Sequence, residues 1–259
     1  GGDFKQGSIG LPAGSLLNAA ALGEAVIAGY GELSVGQQPR VAVVSTGDEL
    51  VAPGCETLPH QIPASNDVML SAMLSGLTAE TRSLSRIPDD MEILCQTLES
   101  AKDCDIIVTI GGASVGDHDL VGPAFERLGA EIDFYKIAMK PGKPVMAGKL
   151  GDTVILALPG NPASAFVAAT LFLLPLIRYM AGAARYLPEY QSAPTSEALP
   201  ANGPRAQFLR AKVDQTGITP FGSQDSAKLS VLAAANALLC RPANADAAQA
   251  GERVPFIGI

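Results

Sequence analysis

The sequence predicts an α/β fold with a doubly wound, mostly parallel sheet, followed by a small all-β domain. Between residues 40 and 183, strand-like apolar runs alternate with helical segments, which is typical of strands joined by crossover helices. The runs are apolar at successive positions, as expected for strands that helices cover on both faces. After residue 204, short strand-like runs are separated by turn residues, and this pattern predicts the β domain.

The chain is expected to have three parts. Residues 1–37 are interpreted as the end of a truncated N-terminal region with one helix, Ser15–Tyr30, because no initiator methionine opens the sequence. Residues 38–184 are assigned to the α/β domain. Residues 185–259 are assigned to a C-terminal part, in which 185–204 is a linker or extended crossing rich in proline, serine, glutamate and alanine.

Composition and charge exclude several classes of protein. The 259-residue chain is 47% hydrophobic and 17% charged, as expected for a folded protein with a large core. Its net charge of −8, its aromatic content of 5% and its lack of tryptophan argue against nucleic acid or an anionic membrane surface as a partner. The apolar run Ala165–Ile177 is expected to be too short to span a bilayer. The four cysteines show no metal-binding spacing, which indicates reduced thiols and a cytoplasmic protein.

The stretch Asp105–Asp119, DIIVTIGGASVGDHD, organises the predicted sheet. It begins as a buried strand, breaks at Gly111-Gly112 and continues through a polar cluster to a helix that begins near Leu120. A glycine pair allows positive φ angles and lets a ligand approach the backbone closely. Ligands of open parallel sheets bind at the carboxyl ends of the strands. The alternative interpretation is a tight strand-to-helix turn with Asp119 as the helix N-cap.

Two acidic residues follow the first predicted strand, Arg40–Ser45. The strand ends at Thr46–Leu50, TGDEL, where the two carboxylates are either solvated loop residues or metal ligands. Farther along the chain, Ser65 and Asn66 are predicted to cap a helix, Asp67–Gly76.

The remaining elements are assigned from the same patterns. In the α/β domain they are the strands Thr78–Ile87, Glu131–Ile137 and Thr153–Leu158 and the helices Met91–Ala101, Leu120–Leu128 and Ala163–Met180. In the β domain they are the strands Gln207–Val213, Ile218–Phe221, Ala237–Cys240 and Arg253–Ile257 and the helix Leu229–Ala235.

A local island of positive charge is expected at Lys140–Pro144, KPGKP. Its two ammonium groups lie three residues apart on a backbone that prolines restrict. The loop either binds an anion or is a surface turn with two solvated lysines. After the last strand of the sheet, Asn161 is the expected N-cap and Pro162 the first residue of a helix. Ser164, in the first turn, either helps to bind an oxyanion or only satisfies the helix end.

The ordered set of motifs resembles the molybdopterin molybdenumtransferase family, which includes MoeA and the homologous domain of gephyrin. The motifs are Gly47–Leu50 (GDEL), Ser65-Asn66, Gly111–Asp119 (GGASVGDHD), Lys140–Pro144 (KPGKP) and Leu158–Ser164 (LPGNPAS). Ala113 is found where the family often has valine. The resemblance covers nearly the whole chain, which corresponds to the C-terminal two-thirds of a family member. It implies a MogA-like molybdopterin-binding domain followed by the small β domain of the family.

The resemblance implies an enzyme of molybdenum cofactor biosynthesis. Family members insert molybdate into adenylylated molybdopterin with release of AMP, and they use a divalent cation, usually Mg²⁺. The expected partners are therefore adenylylated molybdopterin, molybdate, a second copy of the chain in a homodimer, and other proteins of the same biosynthesis. Because the N-terminal domains of the family help to complete the active-site cleft, the chain alone is expected to bind weakly or to be inactive.

The resemblance also implies roles for individual residues. The expected catalytic residues are Asp119, Glu49, Lys140 and Lys143. The expected Mg²⁺ ligands are Glu49 and Asp119, with Asp48 and Asp117 as weaker candidates. The expected molybdate-binding residues are Lys140, Lys143, Pro144, Ser164, Arg210 and Ser223. The expected substrate-binding residues are Thr46, Gly47, Ser65, Asn66, Gly111, Gly112, Ser114, Gly116, Pro159, Gly160 and Asn161.

Other functions are compatible with parts of the sequence. One is a non-catalytic molybdopterin-binding module, as in the competence-damage-inducible relatives or in the scaffolding use of gephyrin. Another is the molybdopterin adenylyltransferase of the same pathway, which shares the α/β domain but lacks a β domain such as 205–259. An unrelated nucleotide-binding enzyme would need a GxGxxG or Walker sequence, and neither is present. His60 and His118 are candidate bases, although a histidine in a loop is more often solvated.

Overall fold

The structure is a computed structural model that describes residues 4–112 and 120–259. Five residues singled out above, Ser114, Gly116, Asp117, His118 and Asp119, lie outside the described residues. The helices are α1 (Ala19–Ile27), α2 (Ser65–Leu74), α3 (Met91–Ser100), α4 (Val121–Arg127), α5 (Pro162–Ala168), α6 (Leu174–Met180) and α7 (Leu229–Ala234).

In the described residues, helices separate β3, β4, β5 and β6, whereas β6 to β9 follow one another without a helix. The strands are β1 (Arg40–Thr46), β2 (Leu50–Val51), β3 (Ile62–Pro63), β4 (Glu80–Ile87), β5 (Ile106–Ile110), β6 (Glu131–Tyr135), β7 (Met139–Lys140), β8 (Met146–Leu150), β9 (Thr153–Leu158), β10 (Tyr190–Pro194), β11 (Ala206–Asp214), β12 (Gly217–Pro220), β13 (Ala237–Arg241) and β14 (Arg253–Gly258).

Six strands form the main sheet, in the order β4-β1-β5-β9-β8-β6. Strands β4, β1, β5 and β9 are parallel to one another. Beyond β9, β8 pairs antiparallel with β9, and β6 pairs antiparallel with β8. The chain leaves β1 toward β4 and then returns to β5 on the other side of β1. The winding direction therefore reverses between β1 and β5, and ligands of such sheets bind at the carboxyl ends of the strands beside this point. The predicted doubly wound, mostly parallel sheet is confirmed.

Helices cover both faces of the main sheet. On one face, Leu98 of α3 and Phe125 of α4 pack against Ile107 of β5. On the other face, Leu70 of α2 and Leu173 pack with the apolar side chains of β1, β5 and β9. Every residue of β5 is buried, which explains why its sequence is apolar without alternation.

A helical stretch of 19 residues, Pro162–Met180, follows β9 and includes a π-helical segment, Ala169–Leu173, between α5 and α6. By length and mean hydropathy, 1.6, the stretch is long and apolar enough to cross a membrane, although the apolar run Ala165–Ile177 within it is shorter. The missing N–H of Pro175 falls at the start of α6, directly after the π-helical turn, and the helix continues past it. Residues such as Ala165 and Ile177 are buried against the main sheet, as in a core helix.

The C-terminal residues form a second sheet, in the order β10-β14-β13-β11-β12, and β7 pairs with β11. The predicted β domain is confirmed, but the segment 185–204 is not only a linker, because β10 pairs antiparallel with β14. The sequence of β10, YQSAP, shows no strand pattern, and the strand was therefore not predicted. An edge strand tolerates proline and polar residues that a central strand does not.

Strands β2, β3, β7 and β8 were not predicted. The first three have two residues each and cannot show a periodic pattern. Strand β8, MAGKL, contains Gly148, and a side chain there would collide with the carbonyl oxygen of Glu131 in β6. The glycine that weakens the strand pattern thus allows the close pairing of β8 with β6.

Candidate functional site

The candidate site lies along one edge of the main sheet, which we call the carboxyl edge. It is the edge at which β1, β4, β5 and β9 end, at Thr46, Ile87, Ile110 and Leu158. The TGDEL, GGASVG and LPGNPAS motifs follow β1, β5 and β9. Because parallel strands carry their carboxyl ends to one edge, three motifs that are far apart in sequence meet there.

Gly111 and Gly112 bring the turn after β5 against the end of β1. Their φ angles are +87° and +61°, which L-residues rarely adopt. A Cβ atom on Gly111 would lie 2.9 Å from the carbonyl oxygen of Thr46, and one on Gly112 would lie 2.7 Å from Cγ2 of Val121. Both positions therefore require glycine, for conformation and for space.

Gly160 and Asn66 join the other two motifs to this turn. A Cβ atom on Gly160 would lie 3.4 Å from Cα of Gly111, so the turns after β5 and β9 are in close contact. Asn66 Nδ2 donates a hydrogen bond of 2.6 Å to the carbonyl oxygen of Gly160. Asn66 Oδ1 is buried and has no hydrogen-bond partner in the described part of the chain. Predicted substrate-binding residues of three motifs are thus adjacent, and one carries an unsatisfied polar atom.

The predicted capping role of Ser65 and Asn66 was wrong. Helix α2 begins at Ser65, its N-cap is Ala64, and no side chain caps it. The physical reason is that the Asn66 amide donates to the turn after β9. A side chain engaged in that tertiary contact does not also satisfy the N–H groups of its own helix.

The two acids after β1 differ in their surroundings. Gly47 has φ +143° and donates its N–H to the Ile87 carbonyl at 3.1 Å, which folds the turn back over the sheet. The Glu49 carboxylate lies against the position that a Gly47 side chain would occupy. Asp48 Oδ1 accepts the N–H of Asp89 at 3.1 Å. Glu49 is therefore the acid at this turn whose carboxylate makes no such contact to another loop in the described part of the chain.

The described residues do not by themselves form a magnesium site. Within 4–112 and 120–259, no group of three His, Cys, Asp or Glu side chains could hold a metal ion. Of the two predicted ligands, Glu49 is placed at the carboxyl edge and Asp119 lies outside the described residues. Carboxylates suit Mg²⁺, but one is not a coordination sphere.

A buried carboxylate that the sequence did not single out lies directly behind these turns. Asp67, in the first turn of α2, is 7% exposed, and its Oδ2 accepts the Ser45 hydroxyl at 3.0 Å. Its Oδ1 is buried without a hydrogen-bond partner among the described residues. Burial raises the pKa of Asp67, while the hydroxyls of Ser45 and Ser85 and the charge of Arg86 oppose the shift.

The KPGKP loop lies at the same edge. Strand β6 ends and antiparallel β8 begins there, because Tyr135 pairs with Met146 and Met146 pairs with Ala157 of β9. Lys140 and Lys143 are exposed, and no carboxylate of the described ranges lies within 4.0 Å of either ammonium group. The loop therefore presents two uncompensated positive charges beside the carboxyl edge.

The second sheet supports both the loop and the start of α5. Lys140 in β7 pairs with Gln207 in β11. The N–H of Ala163, in the first turn of α5, donates to the Ser226 carbonyl at 3.1 Å. Asn161 is the N-cap, as predicted, although its side chain makes no capping bond. Ser226 had no signal in the sequence, because its contact uses only a backbone carbonyl.

Ser164 and Arg210, two of the predicted molybdate-binding residues, are buried in this structure. Ser164 is buried, and its carbonyl oxygen lies 3.6 Å from the position of a Cβ atom on Gly142 of the KPGKP loop. Arg210 is 1% exposed, and its Nη2 donates to the Asp225 carbonyl at 3.3 Å. Its Nε has no partner among the described residues, and burial lowers the pKa of the guanidinium. Ser223 is partly buried in the loop after β12.

The predicted residues thus fall into two neighbouring groups. At the ends of β1, β5 and β9 are Thr46, Gly47, Glu49, Ser65, Asn66, Gly111, Gly112, Pro159, Gly160 and Asn161. Between α5 and the second sheet are Lys140, Lys143, Pro144, Ser164, Arg210 and Ser223. A cavity of about 920 Å³ lies elsewhere, between the α5–α6 helix, residues 184–191 and the end of β14, and no residue predicted for the site lines it.

Comparison with protein families agrees with this architecture. Residues 42–179 match the family described as a probable molybdopterin binding domain. Residues 192–259 match the MoeA C-terminal region, domain IV. The two matches fall on the main sheet and on the second sheet.

Individual relatives extend over the whole chain. A Mycobacterium tuberculosis protein named molybdopterin molybdenumtransferase 2 is 35% identical over 98% of this chain, and a Staphylococcus aureus molybdopterin molybdenumtransferase is 30% identical over 99%. These matches cover 65% and 62% of the relatives, so the chain spans about two-thirds of their length.

Solved structures lead to the same family. A MoeA molybdopterin biosynthesis protein of Pyrococcus horikoshii is 26% identical, with a TM-score of 0.83 over 99% of this chain and 63% of that chain. Since the probable molybdopterin binding domain alone matches more than half of the sequence, this chain belongs to the family that the domain defines, and in it the domain is followed by the C-terminal region of MoeA proteins.

Proposed function

We propose that this chain binds adenylylated molybdopterin and molybdate, and that it acts as a molybdopterin molybdenumtransferase, which inserts molybdenum into the pterin dithiolene with release of AMP. The observation that supports this most strongly is the contact of Gly111, Asn66 and Gly160 beside a lysine loop held by the second sheet. The names of the relatives from M. tuberculosis and S. aureus agree with the proposal.

The pterin and its phosphates would bind at the carboxyl edge. Backbone N–H groups of the turns after β1, β5 and β9 are donors for phosphate and pterin oxygens. Asn66 Oδ1, which is buried and has no partner within 4–112 and 120–259, is an acceptor for a pterin N–H group. Gly111 and Gly160 allow the turns after β5 and β9 to lie in contact, which brings the backbone N–H groups of both turns to one place.

Molybdate would bind between the KPGKP loop and the second sheet. In a chain of net charge −8, a dianion needs local cations, and Lys140 and Lys143 supply two. The Arg210 Nε–H at the base of this region has no acceptor among the residues that the structure describes, and a molybdate oxygen would supply one. Ser164 and Ser223 would donate hydroxyls, and Pro144 would contact the anion beside Lys143.

We also propose that Glu49 and Asp119 hold a Mg²⁺ ion, which would neutralise phosphate charge when bound. The Glu49→Gln and Asp119→Asn variants keep the size of each side chain and remove its charge. Each is expected to lower activity at least tenfold, or about 1.4 kcal/mol in the barrier, with little change in unfolding temperature. Normal turnover of Asp119→Asn at limiting Mg²⁺ would show that its role is structural.

The organisation of the whole protein is part of the proposal. We propose that 38–184 and 185–259 are separate domains, that two copies form a homodimer, and that the protein acts in the cytoplasm with other proteins of molybdenum cofactor biosynthesis. Sedimentation velocity tests the dimer, because a single species at the monomer mass over micromolar concentrations would contradict it.

The adenylyltransferase alternative is disfavoured by residues 192–259. That enzyme was expected to lack a trailing β domain, whereas these residues match the MoeA C-terminal region and pair with the KPGKP loop. A non-catalytic module would bind the same pterin without releasing AMP, so a turnover measurement separates it from a transferase.

The test is a reconstitution assay. The purified protein is incubated with adenylylated molybdopterin and molybdate, and both AMP release and activation of a cofactor-free molybdoenzyme are followed. The proposal predicts that both depend on molybdate. Binding of the pterin without AMP release, in the presence of Mg²⁺ and molybdate, would instead identify a binding module.

A further inference from the structure

Arg86 occupies an irregular position at the carboxyl edge. In the β1–β4 pair, Val44 is opposite Leu84 and Thr46 is opposite Ile87, so Ser85 and Arg86 both face Ser45. This is a β-bulge in a parallel pair, where bulges are rare. Bulges redirect side chains and are common beside active sites. The bulge therefore changes the direction of a cationic side chain next to the turn that follows β1.

The backbone at Arg86 is also unusual for its residue type. Its φ angle is +59°, in the left-handed region that glycine adopts without strain. A non-glycine residue is strained there, because its Cβ lies too close to the following carbonyl oxygen. Strain of this kind is found where the side chain or the backbone geometry serves a function. An arginine kept in this conformation points to a use of its guanidinium.

Hydrogen bonds hold Arg86 against the start of α2. Its backbone N–H donates to Ser45 Oγ at 3.2 Å, and Ser45 donates to Asp67. The guanidinium Nη1 donates to Ser85 Oγ at 3.2 Å, and the Ser85 hydroxyl, like that of Ser45, lowers the pKa of Asp67. Asp67 follows Asn66 in the first turn of α2, so these hydrogen bonds connect Arg86 to the turn that carries a predicted substrate-binding residue.

Most N–H groups of the Arg86 guanidinium have no hydrogen-bond partner among the described residues. Arg86 is exposed, and no carboxylate of residues 4–112 or 120–259 lies within 4.0 Å of its nitrogens. A planar guanidinium presents paired N–H groups that match two oxygens of a phosphate. The first-turn N–H groups of α2, a helix of 10 residues, add positive potential on the same side.

We infer that Arg86 binds a phosphate group at the carboxyl edge, as a positioning residue for a phosphorylated ligand. The identity of that ligand as adenylylated molybdopterin rests on the proposed function, whereas the phosphate site itself does not. The competing explanation is that Arg86 only offsets the charge of buried Asp67. In that case its removal would lower stability and leave phosphate affinity unchanged.

Calorimetric titration with inorganic pyrophosphate tests the inference on the purified protein. Arg86→Gly removes the guanidinium and suits φ +59°, so we expect about tenfold weaker pyrophosphate binding with an unfolding temperature that is equal or higher. Arg86→Lys should restore only part of the affinity, because a point charge replaces the fork. The control is Lys149→Gln, which removes an exposed positive charge at the opposite edge of the same sheet, where Lys149 pairs with Val154.

Several results would overturn the inference. They are undetectable binding of millimolar pyrophosphate to the wild type, unchanged affinity in Arg86→Gly, equal loss in Lys149→Gln, and a large fall in the unfolding temperature of Arg86→Gly. The assay does not involve molybdenum. Arg86-dependent pyrophosphate binding without molybdenum insertion would support the phosphate site and reject the proposed function. Molybdenum insertion that Arg86→Gly does not affect would support the proposed function and reject the phosphate site.

Discussion

Replacement of Gly111 by alanine tests whether the turn after β5 must approach the end of β1. The φ angle of +87° costs an L-residue about 1–2 kcal/mol. The added Cβ would lie 2.9 Å from the Thr46 carbonyl oxygen, and relief of this overlap requires backbone movement, for which we expect a further cost of about 1–2 kcal/mol. Gly111→Ala should therefore lower the free energy of unfolding by about 2–4 kcal/mol.

Urea unfolding at 25 °C measures this loss, with Gly129→Ala as the matched control. Gly129, which ends the turn after α4, has φ +78°, and no atom lies within 4 Å of the position of an added Cβ. The control should lose only the conformational cost of about 1–2 kcal/mol. At a urea concentration at which both variants are folded, Gly111→Ala alone should bind the pterin substrate weakly. Equal destabilisation of the two variants would refute the close contact between β1 and β5.

Three further predictions concern the rest of the molecule. Lys140→Ala or Lys143→Ala should raise the half-saturating molybdate concentration about tenfold and leave pterin affinity unchanged, and an unchanged value in both variants would make the loop a surface turn. Burial raises the pKa of Asp67 above its ordinary value of 3.8, so the folded state binds the carboxyl proton of Asp67 more tightly than the unfolded chain does. The resulting contribution to the free energy of unfolding is present below pH 3.8 and is lost as pH rises through the pKa of the folded state. Asp67→Asn should thus gain stability relative to the wild type as pH rises from about 4 to 7 in urea unfolding. Exposed Cys55 should react with a maleimide at pH 7, whereas burial raises the pKa of Cys240 to about 12 and should protect it, and equal labelling of both by mass spectrometry would contradict the fold.

The sequence was most informative where one local feature determines the structure. Strand β5 is apolar at every position because helices cover both of its faces, and this pattern is readable without a structure. The glycines at 111 and 112 were recognisable for a similar reason, since a glycine pair after a buried strand signals a turn that other residues cannot form. The order of three such turns was enough to place one edge of the sheet.

The sequence was least informative where contacts between distant parts of the chain determine the role of a residue or the position of a strand. Asn66 suits an N-cap, but its amide bonds to Gly160, which is distant in sequence. The bulge at Arg86 has no local signal, because arginine is not a residue that favours positive φ. Strand β10 was concealed by proline and serine, which only its edge position tolerates. Arg210 is buried and contacts the loop that carries Gln224 and Asp225, which no pattern within β11 shows.

The most direct test of the central claim is a crystal structure of the protein with adenylylated molybdopterin bound. The proposed function predicts density at the carboxyl edge, in contact with the turns at Thr46, Gly111 and Gly160, with the dithiolene directed toward Lys140 and Lys143. The cavity of about 920 Å³ beside the α5–α6 helix offers a separate location. A pterin bound there, with the carboxyl edge empty, would contradict the proposed site.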